Sequence, residues 1–272
     1  MPDTTPEAQT IATGPPVLLR NDKDGVATLT LNRGRAYNTL SIGLMAAMQA
    51  AFDDIARDAG VRVVVIAAAG DAFCVGHDLN EMRAAPDEGP IRALFEQCGK
   101  MMQTITRIPQ PVIAKVQGVA AAAGCQLVAQ CDMAIAVDSA MFATSGVKLG
   151  LFCATPMVAV TRNLPRKKAF EMLMTGDLID ADEAERLGLL NRVVPAAELD
   201  AAVDHLTANI VDKSPLAVRR GKELFYRQLE QGLAAAYDEA SRVITDNMQD
   251  RDARAGIDAF LMKRDMPEWK GE

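Results

Sequence analysis

The chain has 272 residues, 49% of them hydrophobic and 24% charged, with a formal net charge of −7. That length and apolar content suffice for one large core, or a core with a smaller appended region, and exclude a disordered or fibrous chain. The acidic balance provides no basic field for polyanions and no apolar run nears the roughly 20 residues that cross a bilayer, so neither a nucleic-acid nor a membrane partner is expected.

In chain order, Met1 to Pro16 carries no Lys or Arg and no apolar run. It reads as a disordered polar tail, neither transit peptide nor secretory signal. Val26 to Leu31 alternates as a strand does, and Gly34 ends it. From Ser41, a candidate N-cap, Leu44, Met48, Phe52 and Ile55 recur at helical spacing. Val61 to Ala67 and Pro111 to Val116 are short apolar runs of buried-strand type. Between them, Ile91 to Ile105 spaces Leu94, Cys98, Met101, Met102 and Ile105 as a helix. Short strands follow at Met133 to Val137 and Met141 to Thr144, then helices at Thr155 to Asn163 and Arg166 to Thr175. The Arg166-Lys167-Lys168 cluster opens the second of these as a solvated face. Beyond Pro195 four helical stripes run over Ala196 to Val211, Pro215 to Leu229, Leu233 to Met248 and Ala253 to Lys263, with Lys213-Ser214-Pro215 as the clearest break. The expected division is an α/β core over 17–195 and a helical region over 196–272, whose apolar stripes suit packing on another subunit.

The five cysteines (Cys74, Cys98, Cys125, Cys131 and Cys153) are odd in number and contain no Cys-x-x-Cys pair. A reducing compartment explains that better than a disulfide framework, and the expected location is cytoplasmic. With only His77 and His205 present, no metal site is expected. His205 reads as a packing or surface residue. His77 lies in AFCVGHDL, where a strand and a glycine turn precede a helical segment. Such a turn points backbone N–H groups into a cleft, though it is equally an ordinary turn with Asp78 as N-cap. The stretch Gln117 to Leu127, GVAAAAGCQL after its first residue, follows a strand and opens a small-residue helix. Its amides suit either an oxyanion or close helix packing. G-x-G-x-x-G and G-x-x-x-x-G-K-[ST] are both absent, so no NAD, flavin or ATP seat is visible.

Taken in order, RGRAYNTLS, AFCVGHDLNEM, GVAAAAGCQL and LMTGDLIDADEAERLGLLNRVVP resemble the enoyl-CoA hydratase/isomerase, or crotonase, family over about Val17 to Lys263. The resemblance implies a crotonase-like spiral of ββα units with a C-terminal helical region that builds homotrimers, often paired into hexamers. It also implies that backbone N–H groups at His77 and Ala123 form an oxyanion hole for a CoA thioester. That thioester is substrate or ligand, and no further cofactor is implied. CoA contacts fall by position on Arg35, Ala36, Asn38 and Asp78. Phe260 and Lys263 resemble a tail pair that reaches a neighbour's CoA.

The family's two catalytic glutamates align with Gln126 and Gly146. An amide cannot accept a proton and glycine offers no side chain, so a contribution of about 10²–10⁴ per positioned acid–base group is lost. Classical hydration is therefore expected to be weak or absent. Substitute groups by position are the His77 imidazole, Asp78, Cys153, Thr144, Ser145 and Lys148. The competing expectation is a non-catalytic acyl-CoA binder or oligomeric partner. The stretch FATSGVKLGLFCATP most resembles one branch of the family, which shares the GHDL turn and the GLFC segment.

Overall fold

The computed structural model describes residues 15–84 and 87–272. The chain runs through β1 (Leu18–Lys23), β2 (Val26–Leu31), α1 (Ile42–Ile55), β3 (Val63–Ala68), β4 (Ala72–Cys74), α2 (Leu79–Ala84) and α3 (Glu88–Arg107). It continues with β5 (Val112–Val116), β6 (Val119–Ala121), α4 (Ala123–Gln130), β7 (Met133–Val137), β8 (Met141–Ala143), α5 (Ala154–Asn163) and α6 (Arg166–Thr175). Then come β9 (Ile179–Asp180), α7 (Ala181–Arg186), β10 (Arg192–Val194), α8 (Leu199–Val211), α9 (Pro215–Leu229), α10 (Leu233–Asn247) and α11 (Arg251–Leu261).

From β3 to β8, successive strands alternate between two sheets. The larger has the order β1-β2-β3-β5-β7-β10 and the smaller β4-β6-β8-β9. Over that stretch each turn of the chain lays one strand in the large sheet, the next in the small sheet, and then helix outside. This is the expected spiral. The central strands are parallel and their residues β-branched or small, as a sheet buried on both faces requires. In β3 the residues Val63 to Ala67 are all buried, as are Leu29 and Leu31 of β2 and Val112 to Ala114 of β5. Helix α1 begins where expected: Ser41 Oγ accepts from Leu44 N at 3.1 Å, and Leu44, Met45, Met48, Phe52 and Ile55 turn inward.

The structure departs from the sequence reading in identifiable places. Strand β1 was not expected, because LLRNDK is mostly polar and its side chains are largely exposed. Its signal lies in Asp24-Gly25, where both residues have positive φ (50° and 79°) and Lys23 pairs with Val26. That is the two-residue turn of a type I′ hairpin. The stretch Gln117 to Leu127 is not a loop opening directly into a helix, since Val119–Ala121 forms β6 and the helix starts only at Ala123. Gly118 is needed there because a Cβ would fall 2.0 Å from the Asp71 carbonyl oxygen. The polar tail over 1–16 lies almost wholly outside the described residues. Lys168 of the basic cluster is tied to Glu171 and Glu183 at 3.3 and 3.0 Å.

Helix α9 is fastened to the core through a buried charge. Lys222 Nζ donates to the carbonyls of Ile105 and Gln110 at 2.7 and 2.8 Å and to Asp132 Oδ2 at 2.7 Å, while Tyr226 Oη donates to Asp132 Oδ1 at 2.7 Å. Burial lowers the Lys222 pKa and raises that of the Tyr226 hydroxyl.

Candidate active site

Strands β4, β6 and β8 lie side by side and parallel, with Cys74 opposite Ala120 and Ala121 opposite Ala143. The chain leaving their carboxyl ends delivers Gly76-His77, Ala122-Ala123 and Thr144-Ser145 as neighbours. Ligand clefts of open α/β sheets form outside such strand ends. Two close approaches lock the first pair of turns together. Gly76 has φ +105°, and a Cβ on it would meet Ala122 Cβ at 2.9 Å and the Ala123 nitrogen at 3.4 Å. A Cβ on Gly124 would fall 1.9 Å from the Cys74 carbonyl oxygen. Only glycine fits at either position.

The backbone around His77 has a defined direction. Leu40 N donates to the Gly76 carbonyl at 2.8 Å, and Asp78 N donates to the Leu40 carbonyl at 3.2 Å. In such a parallel bridge the residue between turns its own N–H to the opposite side, here away from Leu40. Ala123 is the first residue of α4, so its N–H has no partner within the helix. Among the described residues neither N–H donates a hydrogen bond. Ala122, which aims the Ala123 amide, has φ 50° and ψ −119°, a conformation that costs an L-residue about 1–3 kcal/mol.

The side chains nearby are neutral or already engaged. The His77 ring sits edge-on to Phe95 with centroids 5.2 Å apart, and burial pushes its pKa down to about 4. Its Nε2 is buried without a partner, as are Gln126 Oε1 and Thr144 Oγ1. Gly146 N donates to Cys153 Sγ at 3.2 Å, and burial pushes that thiol's pKa up. Lys148 is paired with Asp177 at 2.9 Å. A Cβ on Gly146 would stand 2.9 Å from both Cys153 Sγ and the Leu151 carbonyl oxygen, so a longer side chain at that position has no ready space.

The residues expected to touch CoA divide. Arg35 is exposed and Ala36 partly so, on the loop that hydrogen-bonds to the His77 turn. Asn38 turns its side chain into the scaffold: it is fully buried, with Nδ2 donating to the carbonyls of Ala69 and Ala72 at 2.8 Å and Oδ1 accepting from Arg33 N at 2.9 Å. Its side chain shapes the loop from within. Asp78, expected by position as a CoA contact and as a substitute acid or base, is engaged within the chain. Its Oδ2 takes the Arg33 guanidinium at 2.8 Å and its Oδ1 accepts from Asn80 N at 3.0 Å, and the Arg33 hydrogen bond holds the carboxyl below its ordinary range. Phe260 and Lys263, at the end of α11, are exposed, and within one chain no hydrogen bond or ion pair among the described residues joins them to the His77 turn. Arg33 was not singled out from the sequence. Its only signal there was its place in RGRAYNTLS, two residues after the strand pairing ends at Leu31.

Two clefts, of about 310 and 1440 Å³, lie elsewhere, lined by Ala56 and Pro109 among others, and neither includes His77 or Ala123.

The model of the family "Enoyl-CoA hydratase/isomerase" matches residues 21–272. The human relative "Enoyl-CoA hydratase domain-containing protein 3, mitochondrial" is 44% identical over 252 residues, 92% of this chain and 82% of the relative. A crystal structure of the human protein superposes with a TM-score of 0.91 at 43% identity, covering 93% of this chain and all of that one. An enoyl-CoA hydratase of Mycobacterium smegmatis superposes with a TM-score of 0.92 at 52% identity, covering 94% and 99%. The cytoplasmic expectation is corrected by the names of the rat, human and mouse relatives, each of which is called mitochondrial.

Proposed function

The chain belongs to the enoyl-CoA hydratase/isomerase family, and from that premise we propose that it binds an acyl-CoA and polarises its thioester carbonyl between the main-chain N–H groups of His77 and Ala123. One observation carries this reading. Two backbone donors without partners sit on turns pressed together by Gly76 and Gly124, at the carboxyl ends of neighbouring parallel strands. Donors fixed in this way need no reorganisation as charge develops on the carbonyl oxygen, and one of them is worth about 10²–10³ in rate. The chemistry this favours is enolate-like activation of the thioester.

Proton transfer is where this chain departs from a hydratase. Gln126 retains an amide able to hold a water or a substrate hydroxyl but accepts no proton. The His77 imidazole is neutral above about pH 4, and Cys153 stays a thiol. Hydration of crotonyl-CoA is accordingly weak or absent. The lack of an available base near the amides favours a second reading, an acyl-CoA binder without turnover. Assembly into trimers or dimers of trimers is part of the proposal, with Phe260 and Lys263 meeting a neighbour's CoA.

A panel of enoyl-, 3-hydroxyacyl- and malonyl-type CoA thioesters tests the reading. Ala123→Pro is the decisive variant, because proline is tolerated at the first helical position while deleting the N–H. Turnover abolished by Ala123→Pro supports the enzyme. Tight binding with no turnover of any member supports the binder. No binding of any member contradicts both.

A further inference from the structure

The loop over 33–41 and the turn carrying His77 are tied by one partly buried ion pair. Arg33 Nη2 donates to Asp78 Oδ2 at 2.8 Å, with the two side chains 21% and 11% exposed. The other arm of the same guanidinium, Nη1, donates to the Thr39 carbonyl at 2.5 Å and to Thr39 Oγ1 at 2.8 Å. The carboxylate of Asp78 reaches onward to Asn80 N, so it also fixes the first turn of α2. Leu40, next to Thr39, holds the residues on either side of His77 through the Gly76 carbonyl and the Asp78 N–H. None of these bonds uses the His77 N–H itself. All of them fix the peptide planes that aim it.

We propose that Arg33 and Asp78 are positioning residues for the His77 main-chain N–H, acting through the backbone and touching no ligand atom. The inference rests on the thioester-polarising reading. Tyr37 and Asn38 are consecutive L-residues at positive φ (51° and 55°), an arrangement that persists only where the surroundings over-determine it. The Arg33 fork and the buried Asn38 amide are those surroundings. A planar guanidinium spans Thr39 and Asp78 at once, which the single ammonium of lysine cannot reproduce with the same geometry. With the fork removed, the loop relaxes, Leu40 moves with it, and the N–H between Gly76 and Asp78 loses its aim.

Difference infrared spectroscopy of a bound acyl-CoA labelled with ¹³C at the thioester carbonyl reads this directly. A donor aimed at the oxygen lowers the carbonyl stretching frequency, whereas binding through the CoA moiety does not. The wild-type chain is expected to lower the band on binding. Arg33→Met is expected to lose most of that shift while affinity for CoA itself stays within about tenfold, and Arg33→Lys is expected to restore part of it. Asp78→Asn, which keeps an oxygen for Asn80 N, is the second variant should Arg33→Met fail to fold, and it is expected to behave likewise. A wild-type shift that survives intact in the folded variants overturns the positioning role and leaves the thioester reading standing. No shift in the wild-type complex overturns that reading and the positioning role with it.

Discussion

At the scale of single residues, the site is made by backbone geometry, and substitutions there separate main-chain from side-chain roles. His77→Gln keeps the amide and removes the ring. The thioester band shift is expected to persist in this variant, which polarisation by the imidazole does not allow. The same variant exposes a linkage effect. The folded His77 has its pKa lowered from 6.5 to about 4, so the native state refuses a proton that the unfolded chain accepts. The stabilising contribution of the neutral ring is complete above about pH 6.5 and declines as pH falls toward 4. Urea midpoints measured across that window are expected to fall in the wild type and to fall less in His77→Gln. Ala122 supplies a second test. With φ 50° and ψ −119° its backbone suits glycine, and Ala122→Gly is expected to raise stability by about 1 kcal/mol in urea unfolding. Introducing carboxylates at positions 126 and 146 is unequal work. Gln126→Glu fits the existing helix face and is expected to raise crotonyl-CoA hydration toward the lower end of about 10²–10⁴. Gly146→Glu collides with Cys153 Sγ and the Leu151 carbonyl and is expected to cost about 1–3 kcal/mol of stability, read by the same unfolding curves.

At the scale of elements, the tie between α9 and the core rests on one buried cation, Lys222. Lys222→Met leaves Asp132 buried beside Tyr226 without its cation, and breaking such a pair costs about 3–5 kcal/mol. Hydrogen exchange in α9 is expected to quicken in this variant more than in α1. These elements were unequally legible in the sequence. β2, β7, α6 and α9 lie where the periodicity put them, because each has a clear apolar pattern and a turn residue at its edge. β1 was hidden by its polar side chains and betrayed only by Asp24-Gly25. β6 is three residues of Val-Ala-Ala, too short and too small for any period to register. The His77 and Ala123 turns were legible as glycine-rich strand ends. Their contact was not, since it depends on two glycines admitting backbone across a gap of 46 residues. The duties of Asn38 and Asp78 were likewise invisible, because a polar residue in a loop looks the same whether it faces a ligand or the scaffold.

At the scale of the whole molecule, the spiral places three strand ends together and leaves the helical tail with an apolar surface. Leu233, Tyr237, Phe260 and Leu261 are each more than two thirds exposed. Sedimentation equilibrium is expected to give a trimer or a multiple of it, with Phe260→Ser and Leu261→Ser together shifting the mass downward. A monomer at all concentrations contradicts that assembly. The account as a whole depends on where the thioester oxygen lies. A crystal of the full chain soaked with a non-hydrolysable acyl-CoA is expected to show that oxygen about 2.7–3.1 Å from both the His77 and the Ala123 nitrogens. An acyl-CoA bound with its carbonyl away from either nitrogen, or seated instead in one of the clefts lined by Ala56 and Pro109, contradicts it.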